Sequence, residues 1–195
     1  MSGGRVTTTS SESGQALVEF SLVLPVFLLL IFGLVEFGFL FNASSSVNYV
    51  SRVAAMLAAE GGRTAGTDCM VLSAIERDLT PPSTPARVSS VEMYWSDANG
   101  NQIGSNVNLY NRGGSTTCSY GDGSSLTVPY TLSTDNYTED ERCDVLAGCG
   151  GPHTTVDTIG VRITYQHAWV TSFGRYIAGS ITFTRSTAVR MEPTL

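Results

Sequence analysis

Apolar positions fall into three regimes along this chain: one long block near the amino terminus, a helical stripe after it, and alternating runs split by polar, glycine-rich connections. Gly14 to Phe41 reads GQALVEFSLVLPVFLLLIFGLVEFGFLF, with no charged side chain from Phe20 to Val35. A bilayer core about 30 Å thick is crossed by roughly 20 largely apolar helical residues, so the block predicts a membrane-spanning segment over about 20–41. Pro25 removes the N–H that would reach the Ser21 carbonyl and should bend the helix, a break that membrane helices tolerate. Gly33 and Gly38 offer flat spots for close helix approach, although not at GxxxG spacing. Beyond Asn42 the pattern turns amphipathic, with Val47, Val50, Ala54 and Leu57 at three- and four-residue steps. One helix is therefore expected from Gln15 to about Glu60, a rod of about 70 Å, stopped by Gly61-Gly62.

The remainder predicts a small α+β head over 61–195. Thr67 or Asp68 is the expected cap of a second helix reaching Leu79, with Met70, Val71, Ala74, Ile75 and Leu79 on its buried face and Pro81-Pro82 ending it. Arg87 to Trp95 alternates, with Val91, Met93 and Trp95 on one side. Asp97-Ala98-Asn99-Gly100 marks a turn, and Gln102 to Leu109 returns as the hairpin partner. Asn111 to Ser125 reads as loop. Leu126 to Leu132 reads as a strand that Pro129 pushes to a sheet edge, and Ser133 to Thr155 as a polar excursion. Thr158 to Val170 is the strongest strand signal, with Ile159, Val161, Ile163 and Tyr165 against Arg162, Thr164 and Gln166. After a connection through Phe173, Tyr176 and Ile177, a last strand from Ser180 to Met191 carries Ile181, Phe183, Val189 and Met191 on its odd face. An antiparallel sheet facing the rod and the short helix satisfies these patterns together.

Composition narrows the chemistry. The chain has 195 residues, a net charge of −6 and a pI near 4.8, the opposite of a nucleic-acid binder. All 11 basic residues are arginine, which excludes a catalytic or phosphate-loop lysine. Cys69, Cys118, Cys143 and Cys149 all follow the apolar block; an even number on an exported domain implies disulfides, with three possible connectivities. Cys143–Cys149 as a small loop and Cys69–Cys118 as a longer staple are the preferred pairing, with free thiols the alternative. C-x5-C is a poor zinc spacing. His153 and His167 lack a recognisable partner and read as surface or packing residues. Asp97, Asn99 and Asn101 mimic a calcium loop, but Gln102 and Asn108 stand where that loop needs Gly and Glu. Glu139-Asp140-Glu141 with Asp144 reads as a solvated acidic loop. No nucleophile elbow, phosphate loop or HExxH helix is present, so neither an enzyme nor a cofactor is expected.

The carboxylates that interrupt the apolar block carry the functional signal. A charged acid at a bilayer centre costs about 2.5–3.5 kcal/mol on insertion scales. If the chain were cut between Gly14 and Gln15, the new α-amino group of Gln15 would lie roughly 6 Å from Glu19 along the axis; otherwise Glu19 sits solvated among headgroups. Glu36, about 25 Å further along, is expected at the opposite headgroup region.

Ser13-Gly14-Gln15-Ala16-Leu17-Val18-Glu19-Phe20, then Leu24-Pro25 and Phe32-Gly33-Leu34-Val35-Glu36-Phe37-Gly38, resemble the amino terminus of TadE-like proteins, pilin-like components of the tight-adherence branch of type IV pilus systems. Residues 181–193 resemble that family's closing strand. The resemblance implies a leader of residues 1–14 removed after Gly14 by a prepilin peptidase, and an assembly or processing role for Glu19 and Phe20. It also implies partnership with membrane lipid, other pilin-like subunits and pilus assembly proteins, and a single-pass location in the cytoplasmic membrane with the head outside. Where the family has a basic residue before the glycine, Ser11-Glu12-Ser13 stands here, with Arg5 upstream. The competing expectation is an uncleaved, membrane-anchored adhesin or binding domain.

Overall fold

The computed structural model describes residues 12–149, 151, 153–171 and 179–192. The tail before residue 12 and the connection through Phe173, Tyr176 and Ile177 fall outside them.

A single helix, α1, runs from Glu12 to Gly61 and stays continuous through Pro25. Its two ends differ in surroundings. From Leu17 to Phe41 most large apolar side chains are exposed, whereas Ala43, Val47, Val50, Ala54, Ala55, Ala58 and Ala59 are buried. The stripe read from the sequence is thus the packed face, with Leu57 partly buried beside it. The alanines matter because a small residue lets the helix axis approach the sheet closely. The helix stops where expected, Gly62 taking a positive φ of 53° that glycine adopts without steric cost.

Helix α2 spans Thr67–Asp78 and packs on α1. Its cap differs from the sequence reading: Gly66 is the N-cap, and Thr67 and Asp68 lie inside the helix, buried. The start is held from a distance, the Glu139 carboxylate accepting from the N–H groups of Gly66 and Asp68, both at 2.7 Å. A side chain more than seventy positions away thus satisfies donors that a local cap normally takes. Met70 points outward, and Cys69 and Leu72 take the buried positions instead.

The sheet contains β1 (Val88–Ser96), β2 (Gln102–Ser119), β3 (Ser125–Asp135), β6 (Thr158–Ala168) and β7 (Ser180–Arg190), antiparallel in the order β3-β2-β1-β6-β7. A two-strand ladder, β4 (Cys143–Asp144) with β5 (Gly148–Cys149), lies outside it. Val91, Met93, Ile159, Val161, Ile163 and Tyr165 face the helices and are buried. β3 is an edge strand, as Pro129 requires. The Asp97–Gly100 segment is a turn closed by the Asp97 side chain, whose Oδ1 accepts from Asn99 and Asn101 N–H at 2.8 and 2.9 Å. On the outer face the Tyr94 ring lies over Gly160, where a Cβ would collide with it, beneath the Arg162 guanidinium.

The segment from Asn111 to Ser125 is strand for most of its length and not loop. β2 continues to Ser119 and pairs with β3 as a long arm. Its own residues are mostly polar on both sides, and the core side of this part of the ladder is filled from β3, by Val128 and Tyr130, with Cys118 and Leu126 packed against them. Cross-strand hydroxyls hold it, Thr117 to Thr127 at 2.8 Å, and Gly113-Gly114, at φ 102° and 98°, shift the register. The Cys69–Cys118 disulfide ties this arm to α2 across 49 residues, a closure worth about 4 kcal/mol on the chain-entropy estimate. Cys143–Cys149 closes the β4–β5 loop.

Part of the excursion from Ser133 to Thr155 is interior rather than solvated. Tyr137, Arg142, Asp144, His153 and the neighbouring Asp157 are buried, and each makes a polar contact, although Arg142 Nε and Nη1 meet no hydrogen-bond partner among the described residues. Arg142 pairs with Asp68 at 2.6 Å, Tyr110 and Asn108 donate to the same Asp68 carboxylate, and Tyr137 donates to Asp157. His153 bonds Asp157 through Nδ1 and stacks on Trp95 at 4.2 Å, making it a packing residue of the interior. Asp144 accepts from the N–H groups of Arg63, Leu146 and Ala147. The acidic run is therefore structural: Glu139 and Asp144 act as acceptors for backbone amides.

Candidate functional site: the amino-terminal helix and its junction with the head

The candidate processing and assembly residues lie on the first turns of α1. Gly14 and Gln15 are exposed, and a Cβ on Gly14 would meet nothing within 4 Å. Glu19 is also exposed and accepts a hydrogen bond from the Gln15 side chain, Nε2 to Oε1, at 3.1 Å. The two share one helix face by their four-residue spacing. Phe20, at 63% exposure, stands beside them without packing into the head. The Gly14–Gln15 peptide lies in the first helical turn, where N–H groups lack intrahelical acceptors.

Past this point the helix presents a surface that water does not favour. Leu34 at 77% and Phe41 at 76% typify the exposed side chains. A contiguous apolar surface of this extent on a soluble chain marks contact with lipid or with another protein. The helix is long and apolar enough to cross a membrane. A Cβ on Gly33 or Gly38 would also meet nothing within 4 Å, so those flat spots face outward.

Glu36 departs from expectation. Instead of standing free at a headgroup level, its carboxylate is only 3% exposed. Val170 N–H donates to Oε2 at 3.0 Å, and Thr171 N–H donates to Oε1. The chain leaving β6 is thereby fastened to the helix. Local sequence carries no signal for this contact, because its partners are backbone amides 134 and 135 positions away. Close by, His167 is 2% exposed, with both ring nitrogens lacking a hydrogen-bond partner among the described residues. Trp169 meets its ring edge-on at 5.9 Å. Burial and the nearby Arg87 charge lower its pKa, with Glu36 opposing them.

Among the described residues no group of three His, Cys, Asp or Glu side chains is placed to hold a metal ion. The Cys69–Cys118 and Cys143–Cys149 bonds leave no free cysteine among them.

Residues 14–56 match the family model described as TadE-like protein. The resemblance read from the sequence is thus found over the exposed stretch of α1 and most of its buried stripe. Nothing among curated proteins or solved structures matches the chain.

Two outcomes follow from this geometry. Glu36→Ala removes the acceptor of the part-buried Val170 and Thr171 amides, two hydrogen bonds to a charged group worth about 1.5–3 kcal/mol each. Hydrogen exchange at those two amides should rise at least about tenfold while β6 interior amides hold their rate; unchanged exchange at 170 and 171 would contradict the contact. For His167, a pKa below 6.5 in the folded state means the neutral ring is favoured by folding. That stability is complete above pH 6.5 and declines as pH falls below it toward the folded value. Thermal unfolding from pH 7.5 to 5 should show the wild type losing stability relative to His167→Leu, and parallel curves would refute the assignment.

Proposed function

We propose that this chain, TadE-like over residues 14–56, is a non-enzymatic pilin-like minor subunit of a tight-adherence pilus assembly. In this reading α1 inserts once into the cytoplasmic membrane through about 20–41, with the head outside. A prepilin peptidase removes residues 1–14, and the mature helix joins other pilin-like subunits. The observation that carries the reading is one of coincidence. The family match covers both the exposed apolar stretch of α1 and most of the stripe on which the head is built.

The physics of Glu19 supports the same reading. In the uncut chain its described partner is the neutral amide of Gln15, which cannot neutralise a carboxylate in lipid. Cleavage after Gly14 creates a cation at Gln15, roughly 6 Å away along the axis. The same cut places Glu19 near a new helix N-terminus, where the macrodipole favours negative charge. On a neighbouring chain the same pair sets register, the best-attested use of a charge pair in an apolar setting.

Amino-terminal mass spectrometry of the membrane-extracted protein, from cells with an active prepilin peptidase, should find a chain starting at Gln15. Glu19→Ala should insert to the wild-type level yet be absent from sheared pili and from subunit crosslinks. A mature chain retaining residues before Gly14, with assembly indifferent to Glu19, would favour the anchored binding domain instead.

A further inference from the structure

At the junction of head and helix, a groove of about 420 Å³ lies between α1 and the free edge strand β7. Phe37 and Phe41 from the helix and Ile181 and Phe183 from the strand form its apolar part. Its other end is polar: the Arg185 guanidinium donates to Ser44 Oγ at 2.6 Å and to the Thr184 carbonyl at 3.1 Å. The same group lies over the Phe183 ring at 5.4 Å. Among the described residues, the ion pairs all involve other side chains, so no carboxylate neutralises Arg185.

We propose that this groove holds one phospholipid of the surrounding bilayer, an acyl chain along Phe37 and Phe41 and the phosphate on Arg185. The inference rests on the membrane-spanning reading of α1. Continuity argues for this occupant: Phe37 and Phe41 are 66% and 76% exposed and belong to the same apolar surface as the residues preceding them. Depth argues for it as well. A span of roughly 20 residues beginning near Phe20 ends near Phe41, and Ser44 lies about 4.5 Å further along the axis, at the level of lipid phosphates. Charge completes the match, since an unneutralised guanidinium above an apolar slot complements a phosphate carrying an acyl tail. Arginine at such a level keeps its stem on apolar surface and its charge among headgroups.

The test uses the full chain, extracted in mild detergent, mixed with dioleoylphosphatidylglycerol and weighed by native mass spectrometry. The wild type should retain one phospholipid per chain. Arg185→Gln should lower retention about tenfold, the equivalent of one charge-assisted hydrogen bond. Phe37→Ala, a change on the exposed helix that leaves the head core intact, should lower it several-fold. Equal retention by all three proteins would overturn the proposal, and so would lipid-free dimers that Phe37→Ala dissolves, because a second copy would then fill the groove. Alkaline extraction of the same membranes separates the two readings. A wild type released from the membrane overturns both the spanning helix and the lipid site, whereas one that stays in the pellet but retains no lipid overturns the lipid site alone.

Discussion

One continuous helix has to satisfy two surroundings, and the other elements are arranged around that demand. Between Ala43 and Ala59 the packed face of α1 forms part of the core of the head, in contact with β6, β7 and α2. Between Leu17 and Phe41 the same helix leaves most of its large apolar side chains uncovered. Burying a valine contributes about 1.5–3 kcal/mol, so Val47 and Val50 alone bind the rod to the sheet by several kcal/mol. The head therefore has no complete core without the helix. Anything that moves the helix moves the head with it.

Polar groups reinforce the joint, and they do so at long range. Glu36 fastens the chain after β6 to the helix below the packed stripe, and Arg185 reaches Ser44 just above it. Further up, Ser51 meets Thr187 at 3.0 Å. Within the head, Asp68 gathers Arg142, Tyr110 and Asn108, and Glu139 caps α2. A buried ion pair such as Arg142–Asp68 contributes little net stability against its desolvation cost, but breaking it by removing one partner is expensive. Its effect is to fix how the excursion around Tyr137 docks on α2.

The parts of this architecture that obey a period are legible in the sequence. The apolar block and the stripe at Val47, Val50 and Ala54 gave α1 because burial on a helix recurs every three to four residues. Alternation in β1, β6 and β7 gave the inner face of the sheet for the corresponding reason. The family resemblance was carried by the same helix, from Gly14 onward. What escaped was structure held by partners distant in sequence. The second half of β2 shows no apolar alternation because its core side is filled from β3 by Val128 and Tyr130, and its order comes from β3 and the Cys69–Cys118 bond. The cap of α2 comes from Glu139, so Thr67 and Asp68, though good capping types, are drawn into the helix. Glu36, a lone acid in an apolar run, carries no mark of the two amides that hold it.

The central claim is that the exposed apolar side chains of residues 17–41 of α1 face lipid, with Glu36 held by the head, while the same unbroken helix becomes core beyond residue 43. Nitroxide scanning of single-cysteine variants from 17 to 60 in reconstituted bilayers tests it directly, using accessibility to oxygen and to a polar nickel reagent. The account predicts oxygen-favoured accessibility that peaks near the middle of 20–41. It further predicts a crossover close to Phe41 and, beyond Ala43, protection from both reagents at helical period. Access of the nickel reagent throughout 20–35, or a loss of helical periodicity between 36 and 47, would contradict it.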